Sequence, residues 1–124
     1  MIAVDSSSLV DYLAGASGTD IRALEVALTA RTVYLPPVVL AEVLSQPTRG
    51  GDAGAFIRSL PLLDLQPGYW ERAGELRKKL IVAGRKAQLA DSLIAQACLD
   101  YDVPLITRDA DFKAFVRYGL KLLA

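Results

Sequence analysis

The chain reads as an α/β domain, a three-layer arrangement with a central, mostly parallel sheet between helices. Three observations predict it. Short apolar runs at 2–4, 32–35, 62–65, 104–107 and 120–123 are strand-length and separated by helical segments. The connections are long enough for crossovers between parallel strands. No internal repeat, low-complexity tract or linker interrupts the pattern, so 1–124 is read as one domain, long enough to bury a real core.

Taken in order, 2–4 is a short buried strand, and 6–14 is a helix with Leu9, Val10 and Leu13 at helical spacing and serines available for its N-terminus. Residues 15–18 form a loop. The 20–30 segment puts Ile21, Leu24, Ala27 and Leu28 on one face of a helix. After the strand at 32–35, Pro36-Pro37 resets the chain, and proline suits the first turn of a helix running to about 44. Pro47 and three glycines mark 46–54 as a loop, and 55–60 is helical. Pro67-Gly68 ends the strand at 62–65, and the helix over 69–83 stops at Gly84. The strongest helical pattern spans 89–101, with Ala90, Leu93, Ile94, Ala97, Cys98 and Tyr101 on one face. A strand at 104–107, a short helix at 109–118 and a closing strand at 120–123 complete the chain.

Apolar residues make up 52% and charged residues 23%, the balance of a soluble globular protein. No apolar run approaches the ~20 residues of a membrane-spanning helix. MIAVDSSSL has neither a basic n-region nor a long apolar h-region, so no secretion signal is expected. The single cysteine, Cys98, makes no internal disulfide and reads as a buried filler on an apolar helix face. Cytoplasmic residence follows as the expectation. Histidine is absent. That excludes Ser-His and Cys-His nucleophilic machinery and the paired-histidine route to RNA cleavage. It also argues against zinc and leaves oxygen ligands, which suit magnesium or manganese.

Four carboxylates sit at separate places, each beside an apolar segment: Asp5, Glu42, Asp91 and Asp109. Singly, three have ordinary roles. Asp5 heads DSSS and can cap the next helix. Asp91 can serve the dipole of the helix it opens. Asp109 and Asp111 can be turn and cap residues. Glu42 is different, because Val38, Val39, Leu40, Ala41, Val43 and Leu44 surround it, and a carboxylate in such company needs either a metal or an arginine. In parallel α/β folds, ligands bind beyond the carboxyl ends of the strands, where Asp5 and Asp109 both stand. Converging carboxylates repel one another unless a divalent cation lies among them. The pattern predicts a metal-dependent hydrolase.

The segments IAVDSSSLVDYL, PPVVLAEVL and QLADSLIAQACLDYDVPLITRDADF, in that order and in a chain of this length, resemble PIN-domain ribonucleases, and among them the VapC-type toxins of toxin–antitoxin modules. The resemblance runs nearly end to end. It implies the PIN-like α/β/α fold and a four-acid site of Asp5, Glu42, Asp91 and Asp109. Of these, Asp5, Asp91 and Asp109 are the first choices as Mg2+ or Mn2+ ligands, while Glu42 either ligates or orients the attacking water. Asp111, two residues beyond Asp109, joins or replaces it. Ser6 and Thr107 match positions that place a hydroxyl or amide near the site. The resemblance further implies endonucleolytic hydrolysis of RNA through an activated water, a homodimer, and inhibition by a cognate VapB-type antitoxin. Leu9, Tyr12, Leu13, Phe56 and Ile57 are candidates for partner contacts, against the simpler reading of ordinary core.

Fourteen basic and 14 acidic residues balance, but gathering four acids in one site leaves the remainder mildly basic. Arg77-Lys78-Lys79, Arg85-Lys86 and Arg108/Lys113/Arg117 are clustered, as a phosphate-backbone substrate would favour. Two alternatives stand beside the toxin: a PIN-type nuclease acting in RNA processing outside toxin–antitoxin modules, and a non-catalytic nucleic-acid-binding module of the same fold. A haloacid-dehalogenase-type phosphotransferase is disfavoured, since Ser6-Ser7 follows Asp5 where that signature has a second Asp two residues on. Gly50-Gly51-Asp52-Ala53-Gly54 follows a loop rather than a strand and gives no phosphate cradle.

Overall fold

Ile2, Ala3 and Val4 form the first strand, β1 (Ile2–Val4), and the last two are fully buried, because this strand lies in the middle of the sheet. It pairs in parallel with β2 (Val33–Tyr34) on one side and β3 (Leu105–Ile106) on the other, with registers Ile2↔Val33 and Val4↔Ile106. Single parallel bridges, Leu35↔Leu62 and Leu105↔Leu122, extend the sheet at both edges. Across the sheet the chain therefore runs outward from β1 through β2 to Leu62, then restarts on the other side of β1 with β3 and ends at Leu122. The progression reverses between β1 and β3, and in an open parallel sheet that reversal opens a crevice beyond the carboxyl ends of the two strands.

This computed structural model describes residues 1–47 and 53–124. The expectation of a loop at 46–54, and most of the Gly50–Gly54 reading, falls on 48–52, outside the described residues. The helices are α1 (Ser6–Leu13), α2 (Thr19–Thr29), α3 (Pro37–Leu44), α4 (Ala53–Ser59), α5 (Tyr69–Val82), α6 (Leu89–Tyr101) and the short α7 (Lys113–Val116), the last preceded by a 3-10 turn over Ala110–Phe112. They complete a three-layer α/β/α fold, as expected. Helix α5 packs along α6, and α3 touches α1, α4 and α6. Pro37 opens α3, where its missing N–H costs no hydrogen bond. Gly84, at φ +76°, ends α5, and the Arg85 N–H closes back on Leu80 O at 2.9 Å. No described helix is long and apolar enough to cross a membrane.

The core lies on both faces of the sheet, with Leu24, Leu35, Leu80, Ile94, Leu105 and Phe112 among its buried side chains. Cys98 belongs to it, 1% exposed, and burial pushes its thiol up to about 12. The outer strands are shorter than their apolar patterns suggest. At 62–65 and at 120–123 the pairing is confined to the single bridges Leu35↔Leu62 and Leu105↔Leu122. The expected helix at 109–118 divides into the 3-10 turn, capped by the Asp109 side chain, and α7.

Candidate active site

Strand β1 delivers Asp5 to the crevice, and the Asp5 N–H donates to Ile106 O at 3.1 Å, which ties the end of β1 to β3. Asp5 is then the N-cap of α1, its Oδ1 accepting from the Ser8 N–H at 3.3 Å. The capping role and the site role thus fall on one residue. Ser7 Oγ lies 2.8 and 3.0 Å from the two carboxylate oxygens. The hydroxyl hydrogen-bonded to Asp5 is that of Ser7. The N-cap rule carries the reason, since a capping carboxylate faces the second and third helical residues rather than the first. Asp5 is only 2% exposed. Burial raises its pKa, and hydrogen bonds from Ser7, Thr107 and the Ser8 N–H offset part of that rise.

Asp109 follows β3 by the same logic. Its Oδ1 accepts from the Asp111 N–H at 2.9 Å, capping the 3-10 turn, while its own N–H donates to Thr107 Oγ1 at 3.0 Å. Thr107 Oγ1 lies 3.5 Å from Ser7 Oγ, so a pair of hydroxyls bridges the two acid-bearing loops. Asp91 enters from the first turn of α6. Burial pushes its carboxyl up to about 6, and the negative charges of Asp109, Asp5, Glu42 and Asp111 add to the rise. One half-buried carboxyl thus feels four others. Asp91, Asp109 and Asp111 each bring an oxygen to within 4.8 Å of the other two. Asp5 and Glu42 stand outside that tight trio but within its field. Asp109 and Asp111 both belong to that trio.

Glu42 comes from α3. Its Oε1 is buried and has no hydrogen-bond partner, and among the described residues no arginine pairs with it. An orphaned buried carboxylate oxygen costs free energy unless something not made of protein satisfies it. Five carboxylates with no histidine or thiol among them are a hard-oxygen donor set, and that set fits a hard divalent cation.

A second network lies behind the crevice, with residues too far apart in sequence to be paired by pattern. Arg108, between Thr107 and Asp109, turns away from the acids and forks onto Asp20 of α2, with Nε to Oδ2 at 2.8 Å and Nη2 to Oδ1 at 2.9 Å. Nη1 reaches Asp11 at 2.7 Å, and Nη2 also donates to Ser17 O at 3.1 Å. Ser8 Oγ donates to Asp20 Oδ2 at 2.8 Å. The Arg108 guanidinium holds the Asp20 carboxyl down at about 2. Arg108 therefore does not join Lys113 and Arg117 as a surface cation. Of the apolar residues considered for partner contacts, Leu9 and Ile57 are core, Leu13 is half-buried, and Tyr12 meets Phe56 edge-on at 6.1 Å.

The model of the PIN domain matches residues 2–118. The chain belongs to the PIN-domain family. Among solved structures, this PIN domain is similar to a chain in the crystal structure of VapBC2 from Rickettsia felis bound to a DNA fragment from their promoter. The identity is 24%, the TM-score 0.76, and the match covers 98% of this chain and 97% of that one. At that identity the likeness is one of fold. No curated protein matches this PIN domain.

Proposed function

We propose that this PIN domain is a metal-dependent endoribonuclease of the VapC type, the toxin of a type II toxin–antitoxin pair. The carrying observation is the convergence of Asp5, Glu42, Asp91, Asp109 and Asp111 around one crevice, with Glu42 Oε1 buried and unpartnered. Asp91, Asp109 and Asp111 would hold a Mg2+ or Mn2+ ion, with Asp5 and Glu42 beside them. Such an ion, when bound, lowers the pKa of a water and neutralises charge on the reacting phosphoryl group. The chain's own groups do the rest. Burial raises the Asp5 pKa, and hydrogen bonds from Ser7 and Thr107 offset part of that rise and fix the carboxylate's direction. Burial and the neighbouring carboxylates raise the Asp91 pKa to about 6, and a bound cation would favour its ionised form. Glu42 Oε1 is free to accept a hydrogen bond from the attacking water and orient it. Hydrolysis leaves a 5′-phosphate and a 3′-hydroxyl.

The toxin reading draws support from the structural likeness to a VapBC2 chain. By analogy the partners are RNA as substrate, a VapB-type antitoxin as inhibitor and a second copy of the chain, all in the cytoplasm. An antitoxin guanidinium would find a ready receptor among these carboxylates. The test is cleavage of a total-RNA pool with and without magnesium, with end mapping of the products. We expect magnesium-dependent cuts that Asp91→Ala abolishes; equal cleavage by that variant, or cleavage indifferent to metal, refutes the site. A PIN nuclease working outside toxin–antitoxin modules would cleave in the same way but would show no growth arrest relieved by the gene immediately upstream.

A further inference from the structure

The fold sorts the chain's cations into committed and uncommitted ones. Arg72 is held by Asp100 through bonds of 2.6 and 3.1 Å, and Arg108 by Asp20 and Asp11. Arg77 is spent on structure, its Nε donating to Ala87 O at 3.0 Å and so pinning the α5–α6 loop. That loop carries Arg85 and Lys86, and across from it α7 carries Lys113. The three cations, drawn from two separate clusters in the sequence, line one groove of about 210 Å³ together with Ala110, Asp111 and Ala114. Among the described residues, Arg85 and Lys113 form no salt bridge. Lys86 Nζ stands 3.8 Å from Asp111 Oδ2, with side chains 72% and 44% exposed. A pair so open to water contributes little and is readily exchanged for another anion. Asp111 is also a member of the acid cluster, so the groove and the crevice share a wall.

We propose that Arg85, Lys86 and Lys113 form a phosphate-binding subsite that holds the backbone of the single-stranded substrate next to the phosphodiester being cut. The inference rests on the ribonuclease reading for the identity of the strand, and on the groove's own geometry for its place. The acid cluster repels a polynucleotide unless cations offset it, and a strand crossing the cluster meets these three at its border. The subsite reads charge rather than base identity, because ammonium and guanidinium groups in an open groove contact phosphate oxygens.

The probe is a fluorescein-labelled single-stranded RNA of 12 nucleotides, with binding followed by polarisation in EDTA across a series of salt concentrations. Compared with the wild-type chain, the triple variant R85A/K86A/K113A should bind more weakly. Its slope of log affinity against log salt should be shallower by about 2, the value for three lost phosphate contacts on a single strand. The pair R31A/K121A, at the amino ends of the strands and so away from the crevice, serves as control and should bind as wild type. With magnesium, the triple variant should raise KM for the 12-mer and leave kcat nearly unchanged. An unchanged salt slope in the triple variant, an equal loss in the control pair, or no binding by the wild type overturns the proposal. If neither protein cleaves but the triple variant flattens the slope, the subsite stands and the ribonuclease reading falls. Normal cleavage with an unaltered slope has the opposite meaning.

Discussion

Replacing Asp20 with Asn removes the charge at the centre of the network behind the crevice and keeps the side chain's size. Asp20 is 6% exposed and accepts three hydrogen bonds, two from the Arg108 guanidinium and one from Ser8 Oγ. Its carboxyl is held near 2 against an ordinary 3.8, mainly by the hydrogen bonds from Arg108. At 1.36 kcal/mol per pKa unit, that depression corresponds to about 2 kcal/mol of folded-state stabilisation. The hydrogen-bond view gives the same size, since a bond to a charged group contributes about 1.5–3 kcal/mol. Arg108 keeps Asp11 and Ser17 O, so the variant strands no buried charge. Asp20→Asn should therefore lower the unfolding free energy by about 2 kcal/mol at neutral pH. Because the folded pKa is the lower one, this stabilisation is complete above the unfolded value and is lost as pH falls from about 4 towards 2. Urea unfolding of both proteins, repeated from pH 7 to pH 2, reads the difference. A gap that stays constant down that series, or one below about 0.5 kcal/mol at pH 7, would show that the network contributes no charge-dependent stability.

Asp91 has the opposite sign. Its folded pKa is raised to about 6, so the metal-free chain should lose stability as pH climbs from about 4 through 6. Asp91→Asn should then melt above the wild type at pH 8 without metal, and magnesium or manganese should raise its melting temperature less than the wild type's; a metal-free variant no more stable than wild type would count against mutual repulsion at the cluster. Phe112, fully buried and one residue past Asp111, anchors the turn that presents the acids. Phe112→Ala should cost about 3–5 kcal/mol in chemical unfolding, and a loss under about 1 kcal/mol would mean that the turn is held by something other than this ring.

Much of the architecture was legible in local pattern. Helix α6 spans 89–101, as its apolar spacing predicts, and α3 begins where Pro37 allows. These features depend on neighbours three and four residues away, which a linear reading sees. Strand length is another matter. The runs at 62–65 and 120–123 contribute one bridge each, because a ladder needs a partner whose position is set elsewhere in the chain. The acids follow the same division. Asp5, Glu42, Asp91 and Asp109 stood out by their flanking apolar segments. That Asp111 lies close to Asp91 and Asp109, that Ser7 hydrogen-bonds Asp5, and that Arg108 faces Asp20 emerged only with the fold.

The order of residues determined which elements form and which oxygen donors are available: a histidine-free chain with one cysteine has hard carboxylates and little else to offer a metal. Tertiary structure decided their company. The reversal of strand order between β1 and β3 brings residues about a hundred positions apart to one crevice, drives the Asp91 carboxyl up and leaves Glu42 Oε1 buried without a partner. Charge–charge repulsion and burial depend on distance in space, and distance in space is set by packing rather than by position along the chain.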